Sequence, residues 1–230
     1  MKSMPPAVEA PAQYAFKPTP YSSHSLLLRQ LPTTGNNRKV LDVGCASGYL
    51  TDLLAARGFH VTAVDLHAAS PAGAAAFFTA DLDQGLPPLS GPFDFIVCAD
   101  VLEHLRDPLR LLQDMRALLA PGGALLLSLP NSGHWYFRAN VLAGRFPQDD
   151  RGLFDRTHLH FFTWTGWIAL LDRAGLRIES VACSADPYGE ALPRWKDSLL
   201  LRALERLSYE AARLWKRLFA YQFIVRAVRA

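Results

Sequence analysis

Five short apolar segments, each followed by a turn or a helix, constrain the fold of this chain more than any other feature. They read KVLDVG, HVTAVD, FFTAD, FDFIVCAD and ALLLSLP, and all lie between residues 39 and 130. A strand with one solvent-facing side alternates apolar and polar residues, whereas parallel strands covered on both faces are apolar throughout. Strands of this kind alternating with helices predict a doubly wound α/β sheet.

The second half of the chain predicts two more strands. TWTGWIALLDRAG predicts a helix that starts at Thr163, LRIESVACS a sixth strand and YQFIVRAVR a seventh. Since there is no second crossover helix between the last two strands beyond a long basic helix, we expect the seventh to pair antiparallel beside the sixth. The chain is therefore divided into a flexible proline-rich arm (1–22) and one domain (23–230), with a basic amphipathic helical insert at 193–218.

Composition excludes several classes of protein. The chain has 230 residues, half of them hydrophobic, and a net charge of +3, which is too small to indicate a nucleic-acid partner. It shows no signal peptide and no apolar run of about eighteen residues, so no membrane span is expected. Cys45, Cys98 and Cys183 are far apart and odd in number, which is typical of reduced thiols and predicts a cytoplasmic protein.

Charge is concentrated near the C-terminus. Residues 194–217 contain seven lysines and arginines against three acidic residues. In the insert 193–218 an apolar stripe is predicted by residues that repeat at helical spacing: Leu200, Leu204, Leu207, Ala211, Leu214 and Leu218. We expect this stripe to pack on the domain or on the second subunit of a homodimer. The alternative is peripheral contact with a membrane surface, aided by Trp195 and Trp215.

The turn after the first strand favours a bound ligand. In LDVGCASGYL, Gly44 and Gly48 bracket a tight turn that lets backbone amides and a helix N-terminus approach a ligand. Neither G-x-G-x-x-G nor a P-loop motif is present. Asp65 ends the second strand, where a carboxylate can accept both hydroxyls of a ribose. Asp81 follows the third strand, where it could accept an exocyclic amine.

Five motifs in register resemble class I S-adenosylmethionine-dependent methyltransferases. They are VLDVGCASGYL, VTAVDLH, ADLDQGLP, FDFIVCADVLEHLRDP and LLAPGGALLLSLPN, in an order that extends the resemblance over residues 39–184. The resemblance implies a seven-stranded Rossmann-like methyltransferase sheet with an antiparallel last strand, and S-adenosyl-L-methionine as the cofactor. The cofactor-binding residues that it implies are Asp42, Gly44, Cys45, Ala46, Ser47, Gly48, Asp65, Leu66, Asp81, Leu82, Asp100 and Val101.

The same resemblance implies a role for each part of this set. The Gly44–Gly48 loop would hold the methionine end, Asp65 the ribose, and Asp81 with Leu82 the adenine. Asp100 and Val101 would close over the cofactor after the fourth strand. Asp42 would orient the loop or the ligand's amino group.

The type of acceptor is narrowed by motifs that are missing and by others that are present. No Asp/Asn-Pro-Pro-Tyr motif follows the fourth strand and no Pro-Cys nucleophile occurs, which disfavours methyltransferases of nucleic-acid bases. VLEHLRDP resembles small-molecule enzymes, including quinone-ring O-methyltransferases. The segment from LPNSGHWYF to GLFDRTHLHFFT is similar to a bacterial subgroup, methyltransferase domain 23-like, associated with surface-saccharide pathways. We therefore expect O-methylation of a small molecule, a saccharide or a lipid-linked precursor.

Three alternatives remain open at this point. The chain could be an N-methyltransferase, or a catalytically silent S-adenosylmethionine-binding protein that regulates a partner. It could also be a nicotinamide-dependent oxidoreductase, which cofactor binding would distinguish.

The segment GLFDRTHLHFFT carries the candidate catalytic residues. A hydroxyl nucleophile must lose its proton, and histidine titrates closest to neutral pH. Asp155 and His158 match the Asp-x-x-His pattern of the resembled subgroup, whereas His160 stands where that pattern varies. The resemblance therefore implies His158 as the general base, Asp155 as the group that orients it and His160 as a substrate contact. If the segment is extended, His158 and His160 lie on one face, and Leu159 and Phe161 would anchor the other.

Two other interpretations of this polar cluster compete with a catalytic base. In the first, Asp155, Arg156 and His158 form a polar clip that fastens the segment to the domain. In the second, four side chains form a hard-metal site that holds the acceptor's oxygens. Those ligands would be Asp100, Glu103, His104 and His158. His104 and His134 are further histidines expected near the cofactor.

Overall fold

A seven-stranded sheet forms the centre of the protein. The computed structural model describes residues 19–66, 69–195 and 198–230. The strands are β1 (Lys39–Val43), β2 (His60–Asp65), β3 (Ala76–Thr79), β4 (Phe93–Ala99), β5 (Leu119–Pro130), β6 (Leu176–Cys183) and β7 (Gln222–Arg229). Their order is β3-β2-β1-β4-β5-β7-β6, with β1 to β5 parallel and β7 antiparallel to both neighbours. The predicted sheet and its antiparallel last strand are confirmed.

Eight α-helices accompany these strands in the described ranges. They are α1 (Ser23–Arg29), α2 (Tyr49–Ala56), α3 (Pro108–Leu118), α4 (Trp135–Leu142), α5 (Trp164–Arg173), α6 (Tyr188–Ala191), α7 (Leu199–Leu214) and α8 (Lys216–Phe219). Short 3-10 turns occur at Leu82–Gln84, Leu102–His104 and Pro193–Trp195. The described part of the chain holds no helix long and apolar enough to cross a membrane.

Two apolar layers cover the two faces of the sheet. On one face α3 and α5 contribute Leu112, Met115 and Trp167, all fully buried. On the other face α1 and α2 contribute Leu27 and Leu54, also fully buried. This burial on both sides explains why the strands are apolar throughout instead of alternating.

The strand order fixes where a ligand can bind. From β1 the chain moves outward to β2 and β3, then returns to β4 on the other side of β1 and continues to β5. At such a switch point the loops that follow the two central strands diverge, which opens a crevice at the carboxyl ends of the strands. The loops after β1 and β4 both lie at this edge.

Two predicted boundaries need correction. Strand β5 begins at Leu119 and not at Ala124, because Leu119 already pairs with Phe93 across a local register shift. Gly122 and Gly123 lie inside this irregular strand, where Gly122 has a φ of +76°.

The predicted boundary of the arm is also too late in the chain. Residues 1–18 lie outside the described residues, but Tyr21 and Ser22 are packed on the domain. The Tyr21 ring stacks on Tyr209 with ring centres 4.5 Å apart, and the Ser22 hydroxyl caps α1 by accepting from the Ser25 amide. No local pattern indicates the Tyr21–Tyr209 contact, because these residues are far apart in the chain.

Candidate cofactor and acceptor site

The loop between β1 and α2 is shaped by glycines. Gly44 and Gly48 have φ values of +73° and +80°, and Gly48 is the N-cap of α2. A Cβ atom at Gly44 would lie 2.4 Å from Cγ2 of Val101, so only glycine lets this loop lie against the loop after β4. The Ala46 amide donates to Oδ2 of Asp65 at 2.9 Å, which ties the loop to the end of β2.

Carboxylates lie at the ends of three neighbouring strands. Asp42 is buried in β1 and accepts from the Thr51 hydroxyl at 2.6 Å. Burial, and next the Asp65 charge, raise the pKa of Asp42 to about 6 despite this hydrogen bond. Asp65 ends β2, and Asp81 follows β3, where it is exposed and accepts from the Asp83 amide at 3.0 Å.

Asp100 follows β4 in the left-handed conformation, with a φ of +56°. Its Oδ1 atom accepts from the Ser128 hydroxyl at 2.7 Å and from the Gln222 side-chain amide at 2.6 Å. The ends of β4, β5 and β7 are thus joined beneath the site. Gln222 was not found from the sequence, because its side chain approaches the end of β4 only once β7 pairs beside β5.

These residues fit S-adenosylmethionine. The glycine loop brings backbone amides of the α2 N-terminus to the edge of the sheet, where no side chain caps the helix. The acidic residues after β2 and β3 can accept from hydroxyl and amino groups, as a nucleoside requires. Of the other predicted residues, Cys45 is buried, Ala46, Leu82 and Val101 are half-buried, and Ser47 and Leu66 are exposed.

Three ionisable side chains meet next to this edge. One ligand-type atom each of Glu103, His104 and His158 lies within 4.8 Å of the others. His158 Nε2 is 4.0 Å from Glu103 Oε1, and the two histidine rings meet edge to face with centres 4.7 Å apart. Glu103 is almost completely buried, and its Oε2 has no hydrogen-bond partner among the described residues.

The local electrostatics favour neutral side chains in this group. Burial, and next the His104 ring, lower the pKa of His158 to about 4. Burial, and next the Asp100 carboxylate, raise the pKa of Glu103 well above its usual value. His158 is therefore an unprotonated imidazole at neutral pH, the protonation state that a general base requires.

Residues 152–163, which we call the lid segment, are fastened to the loop after β4. The amides of Leu159 and His160 both donate to the Glu103 carbonyl, at 2.8 and 3.2 Å. The His160 ring stacks on Phe162, and its Nε2 lies 2.9 Å from the Leu105 carbonyl. These contacts hold His158 over Glu103.

Comparison with known proteins identifies the family. A family model described as a methyltransferase domain matches residues 16–181. The chain belongs to this methyltransferase family. It is 31% identical over 185 residues to a ubiquinone biosynthesis O-methyltransferase of Xylella fastidiosa strain M23, covering 75% of this chain and 72% of that protein. The corresponding protein of Xanthomonas axonopodis pv. citri strain 306 is 29% identical, with 75% and 74% covered.

Solved structures agree on the fold. An S-adenosylmethionine-dependent methyltransferase from Mesorhizobium loti has a TM-score of 0.60 at 21% identity, covering 90% of this chain and 98% of that one. A magnesium protoporphyrin IX methyltransferase from Synechocystis, solved with S-adenosylhomocysteine, has a TM-score of 0.55 at 19% identity, covering 90% and 80%. The predicted S-adenosylmethionine-dependent methyltransferase is confirmed. When bound, its cofactor supplies an electrophilic methyl group.

The methyltransferase arranges the lid segment differently from the prediction in two respects. The Asp155 carboxylate does not hold the His158 ring; its Oδ1 accepts from the amide and hydroxyl of Thr157 at 2.8 and 2.6 Å. The Thr157 hydroxyl in turn lies 2.9 Å from His104 Nδ1. Asp155 therefore positions His104 through Thr157, a residue that has no sequence signal of its own.

The predicted faces of the lid segment are also reversed in part. Leu159 and Phe161 were expected to anchor it, yet Leu159 is 55% exposed, whereas Phe161, 37% exposed, packs its ring against Phe137 and Phe146 with centres 5.8 and 5.1 Å away. His158 and His160 lie on the inner side and are half-buried. Periodicity separates the two faces correctly but does not tell which one turns inward.

Different residues fill the roles that the two competing interpretations, a polar clip and a metal site, gave to the lid segment. The competing interpretation gave fastening to Asp155, Arg156 and His158, whereas in the structure backbone amides fasten the segment and His160 lies 2.9 Å from the Leu105 carbonyl. Substrate contact by His160 stays a prediction. Arg156 forms an ion pair with Asp150. Of the four predicted metal ligands, Glu103, His104 and His158 meet, while Asp100 is held by Ser128 and Gln222.

His134 is also placed away from the acceptor. It is the N-cap of α4, fully buried, and its Nε2 lies 3.2 Å from Oδ1 of Asp186. Its ring faces Tyr221 edge to face, with centres 5.7 Å apart. We therefore regard His134 as a structural residue that joins α4 to the segment after β6.

Proposed function

We propose that this methyltransferase transfers a methyl group to a hydroxyl oxygen of a small-molecule, saccharide or lipid-linked acceptor, and that His158 removes the hydroxyl proton. The observation that carries the proposal is the contact of a neutral His158 with Glu103 and His104. Glu103 and His104 follow Asp100 and Val101 closely in the loop after β4. An oxygen nucleophile needs a base, whereas in-line transfer from a sulfonium otherwise needs mainly positioning. The relatives are named as O-methyltransferases, which supports the same acceptor atom.

Within this proposal Glu103, not Asp155, is the carboxyl group that assists His158. Its Oε1 is 4.0 Å from the imidazole Nε2, and its other oxygen has no partner among the described residues. A proton accepted by His158 would form an imidazolium beside Glu103. An ionised Glu103 carboxylate would stabilise that imidazolium as an ion pair, because an opposite charge within about 4–6 Å favours the charged form.

A second candidate mode uses the same three side chains as metal ligands. The unpartnered Glu103 oxygen beside two imidazoles favours it, since carboxylate and imidazole together bind divalent cations. A metal would hold acceptor oxygens directly. Elemental analysis of the purified protein and activity after chelation separate the two modes: a base keeps its activity in chelator, and a metal site loses it.

We also propose a cytoplasmic location. All three cysteines are buried free thiols, a state that a reducing compartment preserves.

The experiment that tests the proposed function uses a cofactor labelled with ¹³C in the methyl group. The enzyme and this cofactor are incubated with extracts of cells that lack the protein, and labelled products are identified by mass spectrometry and NMR. We expect one product with an O-methyl carbon signal. An N-methyl signal would replace the proposal by an N-methyltransferase, and cofactor binding without any product would favour a regulatory protein.

A further inference from the structure

Helix α7 turns its most apolar side away from the protein. The residues that face the domain are Leu201, Glu205, Ser208 and Ala212, all buried. Ser208 fixes this orientation, since its hydroxyl donates to Oδ2 of Asp186 at 2.8 Å and accepts from the Asp186 amide at 3.0 Å. The stripe of leucines recognised in the sequence is therefore not the buried side of the helix.

The outward leucines share one exposed face of the helix. Leu200, Leu207 and Leu214 are 70%, 67% and 89% exposed, and Leu204 between them is 39% exposed. Their spacing places them on one face of the helix. Trp195 before the helix and Trp215 after it are 63% and 59% exposed. We call these six residues the leucine face. Aligned exposed side chains of this size mark an interaction surface more often than isolated ones do.

A row of arginines runs beside the leucine face. Arg202, Arg206 and Arg213 are all exposed and lie on one side of α7, between the buried side and the leucine face. Glu210, exposed on the same helix, pairs with Arg213 at 2.9 Å. Arg217 adds a further exposed charge just beyond the helix.

We propose that the leucine face and its arginine row dock the protein on an anionic lipid membrane surface. A helix with one apolar side and a basic flank lies in the interface, with leucines in the acyl boundary and arginines at lipid phosphates. Tryptophan side chains at both ends of the helix favour the same interfacial depth in the membrane, because their rings are amphipathic. The segment 194–217 has seven basic against three acidic residues, while the whole chain has a net charge of only +3, so an anionic surface attracts this side in preference.

A second copy of the chain fits the leucine face less well. In a dimer whose two α7 helices pack antiparallel about a two-fold axis, each flank of one helix lies against the same flank of the other. The arginines of one α7 would then face the same arginines of the other, and like charges in contact oppose association. A membrane rich in phosphates has the complementary charge.

The helix is connected to the acceptor side of the fold. Asp186, which holds Ser208, lies 3.2 Å from the His134 ring at the start of α4. The Asn131 side chain after β5 donates to the Ala220 carbonyl just after α8 at 2.8 Å. Docking through α7 would thus bring the segment after β5 close to the bilayer. The docking itself does not depend on the proposed O-methylation.

Flotation of the full-length protein with lipid vesicles tests the proposal. We expect it to float with vesicles of phosphatidylglycerol and phosphatidylethanolamine at low salt, and not with phosphatidylcholine alone. The triple variant L200S/L207S/L214S should bind at least about tenfold more weakly. The triple variant R202Q/R206Q/R213Q should lose about a hundredfold, at roughly fivefold for each arginine near the surface.

The matched control is R29Q/R173Q/R177Q, which removes the same charge from exposed arginines of α1, α5 and β6. It should float as the wild type does, and all variants should keep their melting temperature and cofactor affinity. The proposal is overturned if the wild type does not bind anionic vesicles, or if the leucine variant or arginine variant binds as the wild type does. It is equally overturned if sedimentation shows a dimer that the leucine substitutions dissociate.

Discussion

At the scale of single residues, burial sets the chemistry of the site. It is the largest cause of the pKa shift at Asp42, Glu103 and His158, and it moves each of these groups toward its neutral form. Neutral groups in the resting protein suit a reaction in which a cationic cofactor enters and a proton leaves the acceptor. Two predictions concern the protonation of His158 and Asp42.

Substitution of His158 by Asn tests its role as the base. We expect turnover to fall by roughly 10²–10⁴, while cofactor affinity and melting temperature stay at wild-type values. H60N is the matched control, because His60 is exposed at the start of β2 and should leave turnover unchanged. Normal turnover in H158N would rule His158 out as the base, and a loss of stability alone would assign it to fastening the lid segment.

The raised pKa of Asp42 predicts a pH dependence of cofactor binding. The folded-state pKa is about 6, so the carboxyl group is mostly protonated at pH 5 and mostly ionised at pH 7. Because ionised Asp42 attracts the cationic cofactor, affinity should rise about tenfold between these pH values and level off above them. Calorimetry at several pH values measures this rise. D42N should abolish it, whereas D172N, at an exposed remote site, should retain it; a slope that persists in D42N contradicts the assignment.

At the scale of elements, local sequence set the type of each segment, and contacts set its orientation and ends. Strand β5 includes a Pro-Gly-Gly sequence because pairing with β4 outweighs the turn preference of these residues. Helix α7 buries the side with Glu205 and Ser208 because Asp186 binds Ser208, although its leucine side is more apolar. Propensity and periodicity are overridden where a specific partner is available.

The loop between β1 and α2 can be tested as an element with paired glycine substitutions. Gly44 and Gly122 both have positive φ, but an added Cβ at Gly122 would meet no atom within 4 Å, while at Gly44 it would meet Val101. Both alanine variants should lose roughly 1–2 kcal/mol of stability from backbone strain. Only G44A should also weaken cofactor binding, by at least about tenfold, since β-branched Val101 cannot rotate away freely.

Calorimetric titration and thermal unfolding measure these effects. The double variant G44A/V101A should recover part of the affinity, because the clash is removed. If G44A binds the cofactor as tightly as G122A does, close contact between the two loops is not needed for binding.

At the scale of the whole molecule, ligand binding at the crevice should stabilise both halves of the sheet together. S-adenosylhomocysteine at about 100 times its Kd should add about 2.7 kcal/mol. For a chain of this size that corresponds to a rise in Tm of roughly 5–10 °C. NADH should give no shift. D65A should reduce the shift, because it removes the acceptor at the end of β2; an equal response to NADH would contradict the cofactor assignment.

The sequence by itself determined the order of the strands along the chain, the antiparallel last strand, the glycine loop and the acidic strand ends. These features can be predicted because each depends on a short segment: an apolar run, a turn residue, or a side chain at the end of a strand. Because the carboxyl ends of parallel strands necessarily meet at one edge of a sheet, the strand pattern alone groups the cofactor residues together.

Only the tertiary structure decided which side chains meet at the acceptor. The lid segment folds back on residues about fifty positions earlier, which places His158 against Glu103 and Thr157 against His104. The same folding turns Leu159 outward, and Ser208 turns the leucine face of α7 to the outside. A periodic pattern defines two faces of a segment, but which face is buried depends on partners that are distant in sequence and brought near only by the completed fold.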